Sequence, residues 1–183
     1  MEFFSLLPHP STPSPPAIDI YAVALMQGGG KVSFRYRVRG EVSRIRLPEA
    51  TKNARTDGLW RHTCFEVFVG PKDGSSYVEL NFATSSAWAA YTFDNYRFGM
   101  KPLATLKPPT IAFKSEADVL VIDVTMQMRL LTLESKLGFA AVIEDLDGQV
   151  SHWALAHPAA KADFHDANGW SASVQRPTAE KLG

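Results

Sequence analysis

Thr63-Cys-Phe-Glu-Val-Phe-Val-Gly-Pro-Lys-Asp-Gly-Ser-Ser-Tyr-Val-Glu-Leu-Asn-Phe-Ala83 decides the fold class. Two runs rich in β-branched and aromatic residues, 63–70 and 76–83, flank the turn signal Pro71-Lys72-Asp73-Gly74, so they read as an antiparallel pair of strands. Successive residues of a strand point to opposite faces. One face collects Phe65, Val67, Val69, Val78, Leu80 and Phe82, all apolar and therefore the core side. The other collects Cys64, Glu66, Phe68, Tyr77, Glu79 and Asn81. A turn confined to residues 71–74 sets Gly70 against Ser75 and Glu66 directly opposite Glu79. Carboxylates facing across a ladder repel, so that register calls for a cation, a raised pKa on one acid, or ligand hydroxyls. Arg55, Arg61 and Arg97 are the cations near in sequence. A slip of one residue would turn one strand over.

The same period of two is cleanest where Val32, Phe34, Tyr36 and Val38 alternate with Lys31, Ser33, Arg35, Arg37 and Arg39, a half-buried strand. Residues 17–26 join it as a hairpin through Gln27-Gly28-Gly29-Gly30, whose glycines accept positive φ. Further strands are predicted at 42–47, 88–93, 111–115, 119–126, 139–145, 150–155 and 170–175, and Asp147-Gly148 marks an antiparallel turn between two of them. The expected fold is all-β, an antiparallel β-sandwich of jelly-roll-like form. It carries at most one short helix, residues 127–136, whose Leu130, Leu131 and Leu133 would seal one end.

With 183 residues, 45% of them hydrophobic, the chain can bury the core of one domain. That domain is assigned to 17–176, after a Pro-rich leader at 1–16 and before a tail at 177–183. Four prolines between Pro10 and Pro16 make the leader extended, with structure starting near Ala17. Lys and Arg number 19 against 19 Asp and Glu, so no basic field is available for nucleic acid or anionic lipid. No run approaches the roughly 18 apolar residues of a membrane span, and the N-terminal stretch lacks the signature of a secretory signal. The single Cys64 cannot form an intrachain disulfide. The expectation is a cytoplasmic protein with neither nucleic-acid nor membrane partners; its oligomeric state is left open.

Trp60, Trp88, Tyr91, Phe93, Tyr96 and Trp153 are enough aromatics for a sugar-stacking platform, although core packing accounts for most. Trp88 and Tyr91 differ in parity, so only one can face any given side. Trp60, after the turn Asp57-Gly58, is the best stacking candidate. His9, His62, His152, His157 and His165 show no HxH, HExxH or CxxC spacing, so no local metal motif exists. Glu144, Asp145 and Asp147 read equally as calcium ligands or as an acidic hairpin tip. Phosphate loops and dinucleotide fingerprints are absent, which argues against nucleotide enzymes.

Gly58-Leu-Trp-Arg-His-Thr-Cys-Phe-Glu-Val-Phe-Val69, Tyr77-Val-Glu-Leu-Asn-Phe82 and Trp88-Ala-Ala-Tyr91 together resemble the DOMON-like superfamily, which also contains family 9 carbohydrate-binding modules. Asp94-Asn-Tyr-Arg-Phe-Gly-Met100 and His152-Trp-Ala-Leu-Ala-His-Pro158 are similar to an uncharacterised bacterial branch of it. The resemblance implies a sandwich that binds a sugar or a haem and performs no chemistry. It assigns Trp60, Arg61, Glu66, Glu79, Asn81 and Trp88 to a saccharide-like ligand on a concave sheet face, without cofactor. The alternative it implies is a haem or metal carrier using Met100 with His152 or His157. A further alternative, from the residues themselves, is an acid/base hydrolase on Glu66 and Glu79.

Overall fold

A computed structural model describes residues 2–12 and 14–176. The tail assigned to 177–183 lies outside the described residues. Twelve strands follow in chain order: β1 (Phe4–Pro8), β2 (Ile18–Gln27), β3 (Lys31–Gly40), β4 (Cys64–Gly70), β5 (Tyr77–Phe82), β6 (Trp88–Phe93), β7 (Lys101–Pro102), β8 (Thr110–Ser115), β9 (Val119–Gln127), β10 (Lys136–Glu144), β11 (Val150–Ala154) and β12 (Ala172–Ser173). All named strand pairs are antiparallel, in the order β7-β6-β5-β4-β10-β11-β1-β2-β3-β9-β8, with β12 beside β10. The continuous sheet curls on itself into a β-sandwich.

The corner is β1. Its Phe4, Ser5 and Leu6 pair with β2, whereas Leu7 and Pro8 pair with β11, so one short strand belongs to both layers. The proline count had set the start of structure near Ala17, but the prolines fall at the end of β1 and after it. The preceding residues keep their N–H groups and Leu6 is buried in the core.

The core lies between the layers and is built from strand parity. Val32, Phe34, Tyr36 and Val38 of β3 pack against Phe65, Val67 and Val69 of β4 and Leu80 and Phe82 of β5. The outward residues of β3 are polar, and Arg35 pairs with Asp123 of β9 at 2.6 Å.

Three expectations need correction. Residues 127–136 form no helix: Met128 and Leu131 are buried while Leu130 and Leu133 are exposed. Hydrogen bonds of Leu131 N–H to Met128 O and Ser135 N–H to Thr132 O make successive turns, because the burial spacing does not sustain a helical face. Residues 42–47 form a 3₁₀ turn, Val42–Arg44, followed by a single bridge from Ile45 to Asp145. Finally, Val69 pairs with Val78 and Glu66 with Asn81, while Glu79 faces Phe68. The connection therefore spans 71–76, and the register is two residues from that expected. A shift of two leaves every side chain on its face, so the carboxyls are diagonal neighbours on the same side.

Candidate functional site: an acidic, aromatic cleft

The face of β4, β5, β6, β10 and β11 turned away from the core is also covered. Rows of cross-strand partners run Ala154, Ala140, Glu66, Asn81, Ala89 and, one pair along, Gly138, Phe68, Glu79, Tyr91. Over them folds the segment after β11, which brings in Phe164, His165 and Trp170. Trp170 stacks on Phe68 with centroids 5.6 Å apart, and its indole N–H donates to Phe164 O at 2.8 Å, bracing the segment against itself. Its ring lies so close to β10 that a Cβ on Gly138 would come within 2.2 Å of Trp170 Cδ1. Glycine at 138 is thus required by approach rather than by backbone conformation.

Where this cover lifts from the sheet there is a cavity of about 340 Å³. Glu66, Glu79, Val142 and His152 form its sheet side. Trp60, Phe93, Met100 and Phe164 supply apolar walls, and Arg97 and His165 close the polar end. Trp60 sits on the 3₁₀ turn Leu59–Arg61, which starts from Gly58 at φ 77°. It meets Tyr91 edge-on at 6.0 Å, and Tyr91 in turn donates its hydroxyl to Asp57 at 2.5 Å, fixing the loop that carries Trp60.

The acids sit in unlike surroundings. Glu79 Oε1 accepts from Asn81 Nδ2 at 2.6 Å, and its Oε2 is 3.7 Å from His165 Nε2. Burial raises its carboxyl above the ordinary range, opposed by the Asn81 bond and by Arg97. Glu66 is 3% exposed, and its Oε1 has no hydrogen-bond partner among the described residues. Burial, reinforced by the charge of Glu79, pushes its carboxyl well above the ordinary range, so it is the acid that holds a proton most readily.

His165 is held neutral. Burial and the nearby Arg97 guanidinium bring it down to about 4 against a smaller opposing pull from Asp163. The Arg97 backbone N–H donates to the Tyr77 hydroxyl at 3.1 Å, which lies 2.7 Å from His165 Nδ1. With that hydroxyl donating to Nδ1, the neutral ring carries its proton on Nε2, toward Glu79. Arg97 itself is at φ 51°, a left-handed conformation rare for a side-chain-bearing residue. It is held there by Tyr77 and by its guanidinium bond to Asp163 at 2.8 Å; Asp163 also accepts from the Tyr96 hydroxyl. Backbone strain of this kind concentrates at binding sites.

Of the residues singled out from sequence, Trp60, Glu66 and Glu79 meet in this cavity, with Asn81 fully buried beneath them. Arg61 is exposed and does not line it. Trp88 is a correction: it pairs with Phe82 and packs in the main core, with the Arg55 guanidinium 4.4 Å over its ring. Arg55 donates to Ala90 O and Leu103 O, so Arg97 is the one of the three suggested arginines that reaches the acids. Met100 and His152 line the cavity, but His157 stacks edge-on against His9 and hydrogen-bonds Leu7 O elsewhere. Phe164 and His165 carry no periodic signal, and His165 stands among the scattered histidines. The calcium reading does not assemble: Asp145 accepts from the N–H groups of Asp147 and Gln149 in its own turn, and Glu144 pairs with Arg46 and His62.

The sequence matches no protein-family model, and no curated protein matches it significantly. Among solved structures, the fold is similar to that of a Bacteroides uniformis ATCC 8492 protein proposed to bind carbohydrate. The TM-score is 0.63 at 12% identity, covering 97% of this chain and 87% of that one. It is also similar to a family 9 carbohydrate-binding module from Caldicellulosiruptor kristjanssonii solved with cellotriose, with a TM-score of 0.55 at 9% identity over 100% of this chain and 86% of that one. The chain therefore has the fold of carbohydrate-binding modules.

Proposed function

We propose that this chain is a non-enzymatic module that binds a saccharide-like ligand in the cleft between β4–β5 and its covering segment, and that it is a distant DOMON-like relative. The observation that carries the reading is the pairing of Trp60 with buried Glu66 and Glu79 in one cavity of about 340 Å³. Sugars present C–H faces that stack on aromatic rings and hydroxyls that both donate and accept. Trp60 offers the ring. Glu79 accepts, Glu66 in its protonated form donates, and His165 and Arg97 close the polar end. A cavity of this size falls at the lower end of small-ligand sites, roughly 300 to 1,000 Å³, which favours one or two sugar rings. The cellotriose-binding neighbour supports the ligand class.

A haem fits this donor set poorly. Met100 and His152 share the cavity, but two buried carboxyl groups, Glu66 and Glu79, line it beside them, an unfavourable setting for the anionic propionates of a haem. The test is a glycan array followed by calorimetry on the hits. Trp60→Ala and Glu79→Gln should each weaken binding by about tenfold or more, the cost of a stacking face or of a buried hydrogen bond. Unchanged affinity in both variants overturns the site. A Soret band in protein from haem-fed cells would overturn the ligand class.

A further inference from the structure

Glu66 leaves a chemical demand that the protein does not meet. Its Oε1 is unpartnered among the described residues although the side chain is almost wholly buried against the cavity. Several neighbouring donors are engaged elsewhere, and the rings of His152 and Trp60, which also line the cavity, form no hydrogen bond with Glu66 Oε1. Asn81 Nδ2 serves Glu79, and the Arg97 guanidinium serves Asp163. The Tyr36 hydroxyl donates to the backbone carbonyl of Glu66 rather than to its carboxyl. Cys64 Sγ lies against Phe65 O and Asn81 Oδ1. Among the described residues no lysine, arginine or histidine forms an ion pair with Glu66.

The surroundings narrow the kind of group that would satisfy it. Trp60, Phe93 and Phe164 line the same cavity, and ring faces attract cations. The one arginine near the acid pair is already engaged by Asp163, so no fixed cation of the cavity lining pairs with Glu66 once it ionises. A sugar hydroxyl could donate once to the Glu66 carboxyl, which lines the cavity. An ammonium donates three times and brings the missing charge, and a hydrogen bond between charged groups is the stronger one.

We propose that the cleft selects saccharides carrying a free amino group, bound as ammonium, with Glu66 as the carboxylate that receives it. The inference rests on the saccharide reading above and names the ligand class for that same site. The titratable groups around the Glu66 carboxyl are Cys64 on its own strand and Glu79 on β5, with Tyr36 behind β4 on the core side and His152, His165 and Arg97 around the cavity. In the free protein, burial favours the protonated form of Glu66. On binding, that O–H bond breaks, the proton leaves to solvent, and the ammonium of the ligand takes its place beside the carboxylate.

The experiment is calorimetry on matched pairs: D-glucosamine against D-glucose, and fully deacetylated chitotriose against cellotriose. It is run at about pH 6, where amines stay protonated, in two buffers of different ionisation enthalpy. The amino member of each pair should bind roughly tenfold tighter, as expected for a charged over a neutral hydrogen bond, and release up to one proton per site. Glu66→Gln should bring the ratio within about twofold of unity and remove the proton release. If that variant does not fold, the wild-type ratio and proton count still decide. Equal affinities within each pair, or tightening without proton release, overturn the inference while leaving the saccharide reading intact. Binding of neither member overturns both.

Discussion

The two faces of the β4–β5 pair are buried to a similar degree and built from opposite chemistry. On one, Phe65, Val67, Leu80 and Phe82 meet the second sheet layer in an apolar core; on the other, Glu66, Glu79 and Asn81 lie among aromatics under a single loop segment. The first face needs nothing beyond apolar area to be stable. The second buries carboxyl groups, one with an unpartnered oxygen, which costs stability unless something compensates. On the proposed reading, the contrast separates the work of folding from that of recognition within single strands, residue by residue.

The largest effect should come from emptying the core side. Phe65→Ala, at a fully buried ring tilted against Tyr36 at 5.0 Å, should cost about 3 to 5 kcal/mol in urea denaturation. A loss under about 1 kcal/mol would mean the two faces are not divided as described. Next is the contact holding the cover down. Gly138→Ala sets a methyl where the Trp170 ring now lies and should cost about 1 to 3 kcal/mol, with a shift in tryptophan emission and weakened ligand binding. A variant with wild-type stability and emission would show that the cover does not rest on that glycine.

The acids give the smallest and most specific effect, in the pH dependence of stability. Glu66 is raised well above its ordinary 4.5, so over the window from there up to its folded value the native state binds a proton that the unfolded chain has released. Stability from this group is present at low pH and falls as pH rises, by at most about 1.4 kcal/mol per pH unit. His165, lowered from 6.5 to about 4, acts with the opposite sign: its cost appears as pH falls below 6.5 and grows down to its folded value. His152 and His157, also lowered by burial, act in the same direction as His165. Comparing wild type with Glu66→Gln by chemical denaturation isolates the acid: the stability of wild type relative to the variant should fall as pH rises from about 4.5, and a difference independent of pH would contradict the buried-acid assignment.

Much of this division was legible in the sequence because parity survives errors that register does not. The loop 71–76 is longer than the turn signal at 71–74 implied, yet the slip of two residues kept Glu66, Glu79 and Asn81 on one face. Trp88 was misassigned by the same rule applied too loosely, since its partner Phe82 already belonged to the core side. β1 was hidden by the prolines that follow it, and the leucines of 127–136 imitated a helix while serving separate turns. What no local pattern could supply was the cover. Phe164 and His165 reach Phe68 and Tyr77 across roughly ninety residues of chain, and their loop has neither period nor motif.

The most direct measurement is an NMR titration of nitrogen-15-labelled protein with cellotriose and with deacetylated chitotriose. Saturable shifts should appear at the Trp60 indole and at the backbone amides of Glu66, Glu79 and His165, larger for the amino sugar, while Phe34 and Val38 in the opposite layer stay still. Shifts confined to surfaces away from Trp60 and the two glutamates, or no saturable shift with any saccharide, would contradict the account.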